Sequence, residues 1–360
     1  MEVSPFPYQG PLEPFQVVER RELVAELVER ITERRVTVLL GPRRYGKTSV
    51  LRRVASELSE VTTVWVDLYE VASSADVAVR FDDALAGPTG RWRTTARNLA
   101  LSMSLNLGML KVELAGPARL RPDPTITFAS TLDVLVRTAQ REPTLLVIDE
   151  FSSIARVTGV AGLVRTAIQH HYGDLGLVFA GSHPSMMRTL FTDRAEPFYG
   201  QADLIEINAI SAAALEETVR TGFAQTQRDS GGLATLIHQF SGGHPQRSMQ
   251  LADAAWRNWD PATTATDWWA AGLDDVRRGT NEGMERIYSH FERGERDVLR
   301  SVARSGSIYG AEADLLDLAK GTASHARRTL LASGDLFDMN GELKVVDPLL
   351  DDWLRQRFPI

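Results

Sequence analysis

One octapeptide limits the fold more than any other part of this chain: Gly41-Pro-Arg-Arg-Tyr-Gly46-Lys47-Thr48. It follows Val36-Thr37-Val38-Leu39-Leu40, a continuous β-branched and apolar run that reads as a buried strand. It precedes Thr48–Leu58, whose pattern reads as a helix. Strand, glycine-rich turn and helix in that order are what a phosphate-binding loop requires. Gly41 and Gly46 let the backbone curl, so that amide N–H groups converge on an anion at a helix N-terminus, where the dipole also favours negative charge. In that reading Lys47 reaches the β- and γ-phosphates of a nucleotide and Thr48 supplies a hydroxyl ligand to Mg²⁺. Pro42, Arg43, Arg44, Tyr45 and Ser49 complete the expected nucleotide-binding segment. The alternative is a glycine turn that merely caps a helix.

A second element matches the first. Leu145–Ile148 is fully apolar and ends in Asp149-Glu150, which places two carboxylates at the tip of a buried strand. With a phosphate loop about a hundred residues upstream, Asp149 is the candidate Mg²⁺ ligand, directly or through water, and Glu150 the group that polarises an attacking water. Capping of the following helix is the competing reading. Leu175–Ala180 is a further strand, tipped by Gly181-Ser182, and Asp203–Ile210 supplies a last one; Thr62–Leu68 lies between the loop and these. Helical patterns over Glu19–Arg34 and Thr131–Ala139 alternate with the strands, so the expected core is a parallel α/β sheet covered on both faces. The stretch from Val71 to Asp123 reads as an insert, with a hairpin through Ser102–Leu114.

Past the sheet the pattern turns helical. Ala212–Phe223, Gly232–Phe240 and Gln246–Trp259 suggest a small lid, and Asp260-Pro261-Ala-Thr-Thr-Ala-Thr a linker. Glu295–Ala303, Ala313–Ala319 and Ser324–Leu331 are three short amphipathic helices, followed by two strands across the Asn340-Gly341 turn in Leu336–Val346, the plan of a winged helix. The expected division is 1–210 for the sheet, 211–290 for lid and linker, and 291–360 for the winged-helix domain. At 360 residues the chain exceeds one compact core, in keeping with that division. It contains no cysteine, which excludes disulfides, thiolate zinc sites and a cysteine nucleophile. No run approaches the ~18 apolar residues of a membrane helix, and the first residues lack a secretory pattern, so a cytoplasmic protein is expected, with no membrane partner.

With these residues in view a resemblance emerges. Glu19-Arg-Arg-Glu-Leu23, the loop through Leu51, Leu145–Phe151, Gly181-Ser182 with Met186-Met187, Glu196-Pro-Phe-Tyr-Gly200, Ser241-Gly-Gly-His-Pro245 and Val346-Asp-Pro-Leu-Leu350 with Trp353-Leu354-Arg355 resemble the archaeal-type ATPase family, near the STAND and origin-initiator branches of the AAA+ class. The resemblance implies an ASCE-type sheet, a helical lid and a C-terminal winged helix, with ATP or ADP and Mg²⁺ as ligands. Carried over by position, Ser182 corresponds to the polar residue that senses the γ-phosphate; ordinary turn chemistry is the alternative. His244 and Pro245 match a lid motif that packs near the adenine, and a helix start with proline in its first turn is the plain account. Arg247, just beyond, could reach the phosphates or be a surface arginine. Where relatives commonly carry Tyr-Gly-Arg, this chain has Tyr199-Gly200-Gln201, so an arginine that might serve a neighbouring subunit's nucleotide is missing there unless Arg194 replaces it.

Three readings of function follow. One is a slowly hydrolysing ATPase that acts as a nucleotide-dependent switch on a protein partner through lid and winged helix. Another is an initiator-like ATPase that loads on DNA, with oligomers in either case open, and a third is a scaffold that holds ADP. Charge weighs on the second: the chain carries a formal net charge of −7, and the segment from Gly294 onward is itself slightly acidic, whereas DNA affinity draws on phosphate-neutralising cations. Only His325, Arg327 and Arg328 on the expected recognition helix point toward DNA.

Overall fold

The computed structural model describes residues 2–18, 20–106, 124–339 and 341–359. The chain forms two compact units. One comprises Arg21–Gly41 with Val50–Ile207, the other Met1–Arg20, Pro42–Ser49 and Asn208–Ile360.

The first unit is built on a five-stranded, all-parallel sheet: β1 (Thr37–Leu40), β2 (Thr62–Asp67), β3 (Thr144–Asp149), β4 (Gly176–Gly181) and β5 (Asp203–Glu206), in the order β2-β3-β4-β1-β5. Every residue of β1, β3 and β4 is buried, as their unbroken apolar sequences demand, whereas the flanking β2 and β5 are partly open. A helix, α1 (Arg21–Thr32), leads into β1; parallel strands then need crossovers, and these are helical: α2 (Lys47–Glu57), α3 (Ser74–Ala86), α4 (Gly90–Asn106), α5 (Pro124–Ala139), α6 (Val160–Ile168) and α7 (Pro184–Thr192). β4 lies between β1 and β3, which sets Gly41, Gly181-Ser182 and Asp149-Glu150 on three adjacent strand ends at the carboxyl edge of the sheet. At the usual strand spacing the tips of β1 and β3 are about 10 Å apart, with Ser182 between them. The expected hairpin from Ser102 is corrected at its start, because α4 runs on to Asn106; the rest of that segment, residues 107–114, lies outside the described residues.

Four phenylalanines fix the turn after β3. Phe151, Phe179, Phe191 and Phe198 are all fully buried, with ring centroids 4.5–5.9 Å apart, and they tie the Glu150 turn to β4, to α7 and to the segment entering β5. Such contacts add to the burial of four large rings.

The second unit is helical. α8 (Ala212–Gln225), α9 (Leu233–Ser241) and α10 (Pro245–Arg257) are followed by a 26-residue helix, α11 (Ala265–His290), which the sequence reading passed over. The polar segment read as a linker is the start signal of α11: Thr264 and Asp267 form a reciprocal capping box. Beyond it come α12 (Arg293–Ser305), α13 (Ala311–Leu315), α14 (Lys320–Ser333), a hairpin of β6 (Leu336–Met339) and β7 (Glu342–Val345), and α15 (Pro348–Arg357). One hydrophobic core runs through this unit, from Phe6 in the N-terminal segment through Trp256 and Trp268 to Leu354 of α15. Among the described residues no helix is long and apolar enough to cross a membrane.

Candidate functional site

The loop begins where β1 ends. Gly41 admits no side chain, because a Cβ there would lie 2.1 Å from Cγ2 of Ile207. Arg44 and Gly46 take left-handed backbone angles, φ 68° and 85°, which curl the chain into the first turn of α2. Lys47 is buried there, and its ammonium group donates to the carbonyl oxygen of Pro42 at 2.9 Å, spanning the loop. Thr48 follows in the same turn. Ser49 accepts a hydrogen bond from the amide of Leu12 at 3.0 Å, so its hydroxyl fastens the N-terminal segment to the loop.

Within the same unit two side chains of the loop meet the later helices. Tyr45 is buried and its ring meets His244 edge-on, with centroids 5.1 Å apart. Burial pushes the Tyr45 phenol up, against the pull of Arg20. His244 caps α10, accepting from the amide of Arg247, with Pro245 in the first turn. Burial drives its imidazole down to about 4; Asp347 opposes the shift, while Arg247 and Arg44 reinforce it. Arg247 is buried, not a surface residue: its Nε donates to Asp347 Oδ1 at 2.9 Å, its Nη2 to the other oxygen of the same carboxylate, and its Nη1 to Gln250 at 2.6 Å. Arg44 reaches the same carboxylate at 3.9 Å.

In the sheet unit the carboxylates sit as the strand ends require. Asp149 is buried at the tip of β3, where its Oδ1 accepts the Glu150 amide at 3.0 Å. Glu150 has a left-handed backbone, φ 50°, and its carboxylate takes two hydrogen bonds from Ser182, one from the amide at 3.1 Å and one from the hydroxyl. Gln201, standing where an arginine was sought, accepts the Tyr172 hydroxyl at 2.8 Å. Arg194 is exposed, beside the turn into β5.

Two residues with chemistry were missed in the sequence. Asp347 enters the sequence reading only within Val346-Asp-Pro-Leu-Leu350, one of the segments that carry the family resemblance, with no role of its own. Arg20 lies beside Tyr45, and its Nη2, like Oε1 of Gln246, is buried with no hydrogen-bond partner among the described residues. Mg²⁺ takes hard oxygen donors; Thr48, in the helical unit, offers a hydroxyl, and Asp149, in the sheet unit, a carboxylate. Among the described residues no three His, Asp or Glu side chains gather into a metal cage, and Mg²⁺ characteristically relies on few protein ligands together with water and phosphate oxygens.

Residues 18–251 match a family described as an ATPase domain predominantly from Archaea. Among solved structures, a Walker-type ATPase of Pyrococcus abyssi is similar at TM-score 0.71, with 16% identity over 98% of this chain and 99% of that one. The ORC2 protein of Aeropyrum pernix, in ADPNP–ADP complexes, follows at 0.57, with 13% identity over 97% of each chain. The ORC1 protein of the same organism, in complex with DNA, gives 0.51, with 14% identity over 94% and 93%. At such identities the likeness shows the fold alone, that of the α/β P-loop ATPases. No curated protein matches the sequence.

Proposed function

Since the chain belongs to the archaeal-type ATPase family, we propose that it is a Mg²⁺-dependent ATPase that works as a switch, in which the nucleotide held at Gly41–Thr48 sets the state of a lid (211–290) and a winged-helix domain (291–360), and through them of a protein partner. The observation that carries this reading is the pair of contacts made by loop side chains: Tyr45 against His244 at the start of α10, and Arg44 against Asp347 at the start of α15. A ligand that reshapes the loop acts directly on two helix starts.

Each residue then has a task. Loop amides and Lys47 bind the phosphates, and Thr48 and Asp149 would hold Mg²⁺, which when bound neutralises charge on the phosphate oxygens. Glu150 orients water as a base. Ser182 holds Glu150 through both carboxylate oxygens, which fixes the direction in which that base points and ties it to the strand that would sense the terminal phosphate.

Fluorescent-nucleotide titration beside phosphate release tests the assignment. Lys47→Ala should weaken binding of ATP and ADP. Glu150→Gln should bind ATP with near-parental affinity while hydrolysing it at least about a hundredfold more slowly, and Ser182→Ala should lower kcat about ten- to a hundredfold with little change in KM, since a base misplaced by about 1 Å costs that much. Parental hydrolysis by Glu150→Gln would overturn the catalytic part of the reading.

A further inference from the structure

The cluster around Asp347 is out of balance. Two guanidinium groups, Arg247 and Arg44, share one carboxylate, with the neutral ring of His244 beside them. Arg44 itself is pushed down, first by burial and then by repulsion from Arg247, which Asp347 only partly offsets. Burial pushes the Asp347 carboxyl up, but the hydrogen bonds and charge of Arg247 outweigh this and keep it below its ordinary value, so it stays ionised. The contact is a fork of two parallel N–H···O bonds, the geometry that guanidinium offers equally to a carboxylate and to a phosphate. Arg44 belongs to the loop that bears the phosphate-binding residues, and Arg247 to the first turn of α10, next to the ring that touches Tyr45.

We propose that Asp347 is a positioning residue of the nucleotide site: its carboxylate holds Arg247 and Arg44 in the place that the terminal phosphate of ATP takes, so the Asp347 clasp and a bound triphosphate exclude each other. The inference rests on reading Gly41–Thr48 as the phosphate loop. A terminal phosphate carries more charge than the cluster lacks. Once it arrives, the two arginines serve it, and Asp347 is repelled and released. Asp347 is also the cap of α15, its Oδ1 accepting the amide of Leu349 at 3.0 Å, so its release loosens the start of the last helix. A diphosphate, lacking that group, leaves the clasp closed.

Asp347→Asn isolates the charge, because asparagine caps a helix as well as aspartate does. With Mg²⁺ present, the affinity ratio of a non-hydrolysable ATP analogue to ADP should rise about tenfold, a typical size for coupled sites. Hydrogen exchange over Pro348–Arg357, faster in the parent with the analogue than with ADP, should become the same with either. Since Asp347→Asn leaves Arg247 unpaired and could impair folding, the double variant Arg247→Gln, Asp347→Asn is the second arm. It removes both charges, and its ratio should fall below the parental one, because the arginine that serves the phosphate is gone. A purely structural ion pair would move both nucleotides alike. Ratios within twofold of the parent in both variants, while Lys47→Ala still weakens both nucleotides, would overturn the proposal; nucleotide affinity unchanged in Lys47→Ala would instead overturn the phosphate-loop reading beneath it.

Discussion

His244 shows how one buried side chain converts position into a pH response. Its imidazole titrates near 6.5 in the unfolded chain and at about 4 in the folded one, chiefly because burial disfavours the charged form. Below pH 6.5 the unfolded chain takes up a proton that the folded chain refuses. Stability from this residue is therefore complete above about 6.5 and declines as pH falls toward 4, by at most about 1.4 kcal/mol per pH unit. His244→Asn keeps an acceptor for the Arg247 amide and removes the titration, so thermal unfolding followed from pH 7 to 4 should lose this part of its slope. At this scale the sequence was legible where chemistry demands local spacing: a loop with glycines five apart, Lys-Thr at the start of a helix, two carboxylates at the end of an apolar run. Asp347 was not. Its partner Arg247 lies 100 positions away in sequence, and Asp-Pro, which the chain also carries at Asp123 and Asp260, announces a turn or a helix start and nothing else. The environment of Glu150 was equally hidden, since the Ser182 contact exists only because β4 is inserted between β1 and β3.

Elements were legible to the degree that one face or both were apolar. The three central strands announced themselves by continuous burial, and the hairpin of β6 and β7 by its Asn-Gly turn. The long helix α11 did not. Its buried residues Trp268, Leu273, Val276, Met284 and Tyr288 are sparse among charges, because it packs along one narrow stripe, and the cap preceding it mimics a linker. That packing is close at Gly272, where an added Cβ would stand 2.7 Å from the Ala255 nitrogen and 2.9 Å from the Ala254 carbonyl carbon, both backbone atoms of α10. Backbone cannot step aside as a side chain does. Gly272→Ala should therefore cost about 1–3 kcal/mol through overpacking, more than the gain of up to about 1 kcal/mol from alanine's better helix propensity. Gly279→Ala in the same helix, where a Cβ meets nothing within 4 Å, should show the propensity gain alone. Chemical denaturation of the two variants beside the parent separates the terms; equal shifts of the same sign would contradict this account of the α10–α11 contact.

At the scale of the molecule, charge decides what the C-terminal elements can touch. Arg327 of α14, one of three cationic positions suited to DNA, is paired with Asp338 of β6 at 2.8 Å. Binding to a phosphate backbone must break that pair and overcome an acidic surround, so duplex affinity at physiological salt should be weak and should fall steeply with added salt. Fluorescence anisotropy with labelled duplex across a salt series measures it; tight binding that persists in the Arg327→Ala, Arg328→Ala double variant would refute the expectation. The change from strands alternating with helices to a run of helices past residue 210 could be read from sequence, because the periodicity changes there. The membership of the compact units could not, since Pro42–Ser49 joins residues from 208 onward although β1 precedes it directly in the chain.

That membership bears on the order in which the protein is made. Translation delivers Arg44 early and Asp347 only after most of the chain has left the ribosome, a lag on the order of tens of seconds at ordinary elongation rates. The strands and their crossover helices can collapse meanwhile, because all of their residues have emerged by Ile207. The clasp on Arg44 and Arg247 cannot form until the cap of α15 has been synthesised. Until Asp347 emerges neither arginine can make its contact with that carboxylate, so under the proposal above the preference between nucleotides is acquired well after the loop itself is made.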